Sequence, residues 1–244
     1  MYHLLVKLLK ARSFAHNRPV YPLKAKRLSR DLEKQGWDTT IGVQPPVKKI
    51  ATPSRGTVWR QPNGGVATFS TPQCSVAPVQ IPSDFNIDQH VQSLFVSQGQ
   101  SGMYLVNCYF PSGNSSEVRR LRNALMDRVF NFVATLPHAP VFILGDFQDP
   151  PGANATVSAA LCTGEWVDLI DSFCFAVTKP IPDTFVRVSG DRVLRSRIDY
   201  ILANSAACRL VADCVCDEAA GFPDHRPVGA RIVFPDHPQK AFCS

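Results

Sequence analysis

The stretch from residue 103 to residue 145 constrains the fold more than any other. It opens on MYLVNCYF (103–110), a β-rich run that stops at Pro111-Ser112-Gly113-Asn114, a loop sequence. Residues 115 to 136 then carry Val118, Leu121, Leu125, Val129, Phe132 and Val133 at three- and four-residue spacing, with basic residues between them. That period gathers the apolar side chains along one side of a helix. Pro137 and Pro140 close the helix, because proline lacks the amide hydrogen that the next turn needs. Val141-Phe142-Ile143-Leu144 follows, apolar throughout and too short for a helix, as a buried strand is. It ends at Gly145-Asp146-Phe147-Gln148. Two further strand-like runs, 196–202 and 228–234, each carry polar residues at one end. Strand, helix, strand, then more strands predicts a layered α/β protein with its site at strand ends.

Composition narrows the class. A chain of 244 residues, 45% of them hydrophobic, can build one substantial core, and 19% charged residues is too few for a disordered polyelectrolyte. No apolar run is long enough for a membrane span. The net charge is +6, and every charged residue before Asp31 is basic. Such a front suits a polyanionic partner, nucleic acid or an anionic membrane face, and equally an ordinary solvated surface. MYHLLVKLLKARSFAHNRP is apolar, basic and free of acids, the pattern of a mitochondrial transit peptide, of an amphipathic anchor, or of a helix of the main fold. Residues 22–36 read as a helix that stops at Gly36, and 63–70 as a turn entering a strand. The 8 cysteines form no CxxC pair and several sit in apolar surroundings. They predict reduced core thiols rather than a zinc site or a disulfide framework. The expected location is therefore intracellular, nucleus or cytoplasm.

Three strand ends carry acids: Asp146 after VFIL, Asp199 within SRIDYIL, and Asp224 beside His225 just before RPVGARIVF. A lone Asp at a strand end is ordinarily a turn residue or a helix cap. Asp199 is different, because it lies between Ile198 and Tyr200 in a β-rich run, where Asp is disfavoured. Buried there, it needs a donor, and His225 can supply one. A carboxylate on one imidazole nitrogen fixes the tautomer and leaves the other nitrogen for a reacting group. Asp224 and Asp146 can together hold a divalent cation such as Mg²⁺, which prefers oxygen ligands. Such a site suits hydrolysis of a phosphodiester or phosphomonoester.

GDFQ (145–148), SRIDYIL (196–202) and PDHRPV (223–228) resemble the three C-terminal motifs of the endonuclease/exonuclease/phosphatase superfamily. VNCYFPSG (106–113), NGGVATFS (63–70) and DTFVRVSG (183–190) fit the same pattern in order. The superfamily includes abasic-site nucleases, endonuclease domains of non-LTR retroelements, deadenylases, inositol-phosphate phosphatases and neutral sphingomyelinases. The resemblance implies a four-layer α/β sandwich, two facing β-sheets flanked by helices, and a Mg²⁺- or Mn²⁺-dependent phosphodiester hydrolase. Carried over by position, Tyr109 contacts the phosphate, and Asp146 orients the attacking water or binds the metal. Asp199 orients His225, which binds the phosphate or acts as acid/base, and Asp224 helps hold Mg²⁺. Arg226, Arg197 and Arg195 can steer a polyanion.

Two departures from the family pattern stand out. Gln148 occupies the place of an Asn, keeping the amide but adding a methylene. The family also begins with a strand carrying Asn and a second strand ending in a Gln-Glu-Thr-like motif that supplies the metal-binding Glu. No Asp or Glu precedes Lys24, so neither motif can be placed there, and the resemblance implies a fold cut short at its N-terminus. The expected organisation is a basic segment with a helix at 1–62, the hydrolase-like domain at 63–234 and a tail at 235–244. The expected substrate is DNA or RNA ahead of a phosphorylated small molecule or lipid. The alternative is an inactive nucleic-acid- or protein-binding domain, or a fragment of a retroelement endonuclease. The oligomeric state is left open.

Overall fold

The computed structural model describes residues 30–31, 33–34, 36, 75–87, 90–216 and 224–234, together with the backbone of 38–42 and 66–70. Within the expected helix at 22–36, residues 30, 31 and 33 are helical. Gly36 ends it with φ +80 while its N–H donates to the Glu33 carbonyl at 3.0 Å, the left-handed stop that glycine adopts without a Cβ clash. The rest of that helix, the candidate targeting segment and the tail lie outside the described residues.

Strands β1 (Asp38–Gly42) and β2 (Val66–Ser70) form an antiparallel pair beside the main sheet. Strands β3 (Ser75–Pro78), β4 (Val91–Gln98) and β5 (Ser101–Tyr109) make an antiparallel meander. Helix α1 (Ser116–Ala134) then carries the chain across to β6 (Val141–Asp146), which pairs with β5 in parallel. After α2 (Ala155–Cys162), β7 (Trp166–Asp168) and α3 (Leu169–Ala176), a hairpin of β8 (Phe185–Ser189) and β9 (Arg192–Ser196) projects. Strand β10 (Asp199–Asn204) runs antiparallel between β6 and β7. The short helix α4 (Ser205–Cys208) leads to the antiparallel pair β11 (Val211–Cys216) and β12 (Val228–Ile232). The result is a mixed α/β fold with a six-stranded sheet of order β3-β4-β5-β6-β10-β7, flanked by helices and smaller sheets.

The strand period of two explains the layers. Val106, Cys108, Val141, Ile143, Tyr200 and Leu202 turn to one face and pack under α1 and α2 with Leu125, Val129, Phe132 and Val157. Leu105, Phe142, Leu144, Ile201 and Ala203 turn to the other face, against α3, α4 and the β11–β12 pair. Both faces are covered, so VFIL must be apolar at every position rather than at alternate ones. Ser115 caps α1 by accepting the Val118 N–H at 3.2 Å.

Two sequence expectations need adjustment. The stripe predicted for α1 is buried at Leu125, Val129, Phe132 and Val133, but Leu121 is 43% exposed, and Met126 and Arg122 take buried places instead. The run 196–202 is not one strand: Ser196 ends β9 and Asp199 begins β10. The buried Thr184 hydroxyl accepts the N–H groups of both Ile198 and Asp199, at 3.0 and 2.9 Å, and pins the chain where it changes sheets.

Candidate active site

The site is assembled by register. Tyr109 at the end of β5 pairs with Asp146 at the end of β6, and Asp146 pairs with Asp199 at the start of β10. Three residues far apart in sequence thus stand in one row across adjacent strands. The close approach of β5 and β6 at this end depends on Gly145, whose φ is +153. A Cβ there would fall 2.0 Å from the Cys108 carbonyl oxygen.

Asp146 and Asp199 are each 4% exposed, and both carboxylates are engaged. The Gln148 side-chain amide donates to both Asp146 oxygens at 2.7 Å, and the Gln148 backbone N–H reaches one of them at 3.3 Å. Gln148 has φ +61, so the chain turns back and the extra methylene folds the amide onto the preceding acid. His225 Nδ1 stands 2.9 and 3.2 Å from the two Asp199 oxygens. An ionised carboxylate only accepts, so Nδ1 carries the hydrogen of that bond. The His225 side chain is 15% exposed, and Phe185 meets its ring edge-on at a centroid distance of 5.1 Å. Asp146, Asp199 and His225 each offer one ligand atom, and these atoms lie within 4.8 Å of one another.

The remaining sequence candidates are placed differently. Asp224 has φ +68, and one of its carboxylate oxygens accepts from Arg187 Nε and a terminal nitrogen at 3.1 and 3.0 Å. It lies outside the group formed by Asp146, Asp199 and His225. Arg197 is turned inward onto Asp168, whose carboxyl is pushed up by burial and pulled back by that guanidinium. Arg226 donates its backbone N–H to the Thr184 carbonyl at 2.7 Å and a side-chain N–H to the Asp183 carbonyl at 3.3 Å. Arg195 stands 3.7 Å from Asp183 on the exposed hairpin.

Sequence reasoning passed over two residues that hold the site. Arg122, only 2% exposed, makes a two-pronged ion pair with Asp149 and donates to the carbonyls of Pro111 and Gly113 at 3.0 and 2.8 Å. It ties the loop after Tyr109 to the loop that carries Gln148. Thr184 anchors the chain ahead of Asp199. On α1, Arg122 looked like one more basic residue of a solvated side; its placement within an apolar stripe was the available signal.

No family model matches the chain, and no curated protein matches it. Solved structures do. A Neisseria 3′ phosphatase, NExo, bound to a product DNA hairpin, superposes with a TM-score of 0.61 at 17% identity, over 95% of this chain and 89% of that one. An AP endonuclease from Archaeoglobus fulgidus gives 0.58 at 17% identity, over 91% and 86%. The chain has the fold of the endonuclease/exonuclease/phosphatase superfamily. The truncated TDP2 of Caenorhabditis elegans shares that superfamily fold with it, at a TM-score of 0.57 and 14% identity over 93% of this chain and 82% of the other. The identities are low, so the likeness concerns the path of the chain, and the chemistry must be argued from this protein's own side chains.

Proposed function

We propose that this protein is a divalent-cation-dependent phosphodiester hydrolase of the endonuclease/exonuclease/phosphatase type, a nuclease acting on DNA or RNA. The observation that carries the reading is the convergence of Asp146, Asp199 and His225 at one end of the central sheet, with Tyr109 in the same row. The structural relatives named for DNA processing support it, as does the net charge of +6.

The donor set fits a hard cation. Two carboxylates and one imidazole within 4.8 Å suit Mg²⁺ or Mn²⁺, which bind through one or two carboxylates and keep much of their water. Asp146 would hold the ion through the oxygen lone pairs that its hydrogen bonds from Gln148 leave open. When bound, the cation offsets negative charge developing on the phosphate and leaving oxygen. The protein's own groups do the rest. Asp199 holds the hydrogen on His225 Nδ1, so proton transfer or phosphate contact falls to Nε2. Gln148 fixes the plane of the Asp146 carboxylate. Tyr109 brings a phenolic hydroxyl to the phosphate from the end of β5, and Arg226 lies next to His225 as a further phosphate contact. Asp224, adjacent to His225 and paired with Arg187, is a further candidate ligand for the cation.

The pairing of Asp224 with Arg187 favours one second reading, a domain that binds nucleic acid without cutting it. Plasmid nicking, abasic-site cleavage and hydrolysis of bis-p-nitrophenyl phosphate, each with and without Mg²⁺ or Mn²⁺, separate the two. Cation-dependent turnover that disappears in His225→Ala supports the hydrolase. Nucleic-acid binding with no turnover under any of these conditions refutes it in favour of the binding domain.

A further inference from the structure

Gln148 holds a backbone angle that a glutamine seldom takes. Its φ is +61, in the left-handed region where glycine, Asn and Asp are the usual residues. The chain is fixed on both sides of it. Phe147 is buried, stacks on Tyr200 at a centroid distance of 4.1 Å and donates its N–H to the Ile198 carbonyl at 2.8 Å. Asp149 is gripped by both prongs of Arg122. A strained backbone clamped by its neighbours is typical of a side chain held for function.

The position of the amide says what it does there. Its nitrogen stands 2.7 Å from both Asp146 oxygens. A point equally near to both lies between them, where a cation chelated by the two oxygens would also sit. Ca²⁺ binds oxygen at about 2.3–2.6 Å, so a chelated Ca²⁺ and the amide nitrogen claim the same place. The Gln148 backbone N–H reaches Asp146 Oδ1 as well, at 3.3 Å. What these contacts leave for a cation is the outer side of Oδ2, a single oxygen. Mg²⁺ and Mn²⁺ use a carboxylate one oxygen at a time, because its two oxygens stand too close together to fill two corners of an octahedron. Ca²⁺ is larger, takes more oxygen ligands and accepts both oxygens of one carboxylate.

We propose that Gln148 determines which cation the site takes: by occupying the chelating side of Asp146 it limits that carboxylate to one oxygen and favours Mg²⁺ or Mn²⁺ over Ca²⁺. This rests on the cation-dependent reading of the cleft. The selection works by exclusion, as specificity often does. Ca²⁺ must either forgo the second oxygen or displace an amide that makes two hydrogen bonds to a charged group. Mg²⁺ and Mn²⁺ need neither.

The test is isothermal titration calorimetry of the full chain with Mn²⁺ and with Ca²⁺ as probes, read as the ratio of the two affinities. Gln148→Gly removes the amide and suits the left-handed backbone, Gln148→Ala removes it a second way, and Asp146→Asn removes the carboxylate. The parent is expected to prefer Mn²⁺. In Gln148→Gly and Gln148→Ala that preference is expected to fall at least about tenfold through a gain in Ca²⁺ affinity, the usual scale for a group hydrogen-bonded to a metal ligand. An unchanged ratio in these variants, with Mn²⁺ binding lost in Asp146→Asn, overturns the inference and leaves the cation site standing. A ratio that falls only because Mn²⁺ binds more weakly does the same, as does a parent that prefers Ca²⁺. Parent-like Mn²⁺ affinity in Asp146→Asn, or no Mn²⁺ binding by the parent, overturns the cation reading itself and the inference with it. Should Gln148→Ala not fold, Gln148→Gly decides.

Discussion

Arg122→Met is the substitution that most directly probes how the loops around the site are held. The change keeps the apolar stem of the side chain and removes the guanidinium. Asp149 then loses both prongs of its ion pair, and the carbonyls of Pro111 and Gly113 lose their donor. Removing one partner of a buried ion pair costs about 3–5 kcal/mol. The Asp149 side chain is 23% exposed, so water recovers part of this, and the expected loss is near the lower bound, about 3 kcal/mol. For a domain of this size, about 2–4 °C per kcal/mol translates that into a melting-point drop of about 6–12 °C. Equilibrium unfolding in urea, followed by tryptophan fluorescence, measures it; Trp166 packs edge-on to Phe130 of α1 and reports on that layer. Arg122→Met combined with Asp149→Leu should be less destabilised than Arg122→Met alone, because replacing both partners leaves no stranded charge. A single variant within about 1 kcal/mol of the parent would refute the reasoning, since it would mean that Asp149 and the two carbonyls are as well served by water as by Arg122.

Three further outcomes are expected. Gly145→Ala places a methyl group against the Cys108 carbonyl at a backbone angle that L-residues avoid, and should lose about 2–4 kcal/mol in the same unfolding assay; parent-like stability would show that β5 and β6 can part at their ends. Asp199→Asn should lower any phosphodiesterase activity by about a hundredfold or more while the far-ultraviolet circular dichroism stays unchanged, since it disturbs the tautomer of His225 rather than the sheet; full activity would remove Asp199 from the mechanism. Alkylation at pH 8, mapped by mass spectrometry, should label the exposed Cys162 and spare Cys108 and Cys214, because burial pushes the Cys214 thiol to about 12 and raises that of Cys108 as well; modification of Cys108 in the folded protein would contradict the packing beneath α1.

Much of the fold was legible because its signals are local. The helical period of α1, its closing prolines and the continuous apolar run of β6 are patterns within a few residues, and each reports directly on the backbone that satisfies it. The pairing of Asp199 with His225 was legible for a related reason: an acid inside a β-rich run is a local misfit that demands a donor, and the chain holds a histidine beside an acid just ahead of a strand. Gly36 was visible as a helix stop, whereas Gly145, read as the start of a loop, lies inside β6, and what crowds it there was not visible.

The partners of the other charged groups were decided only by tertiary structure. Arg122 meets Asp149 from 27 positions away, and Arg187 meets Asp224 from 37, and no local pattern names either partner. Arg197, read as a hand for the substrate, turns inward because the Asp168 carboxylate is buried beside it and needs a counter-charge. The row of Tyr109, Asp146 and Asp199 exists only once the register of three strands is set. Register itself follows from which faces of the sheet are buried, a condition met by the assembled layers and by no single segment. Periodicity in sequence specifies the surface each element offers, whereas the pairing of isolated charges and amides depends on which surfaces meet.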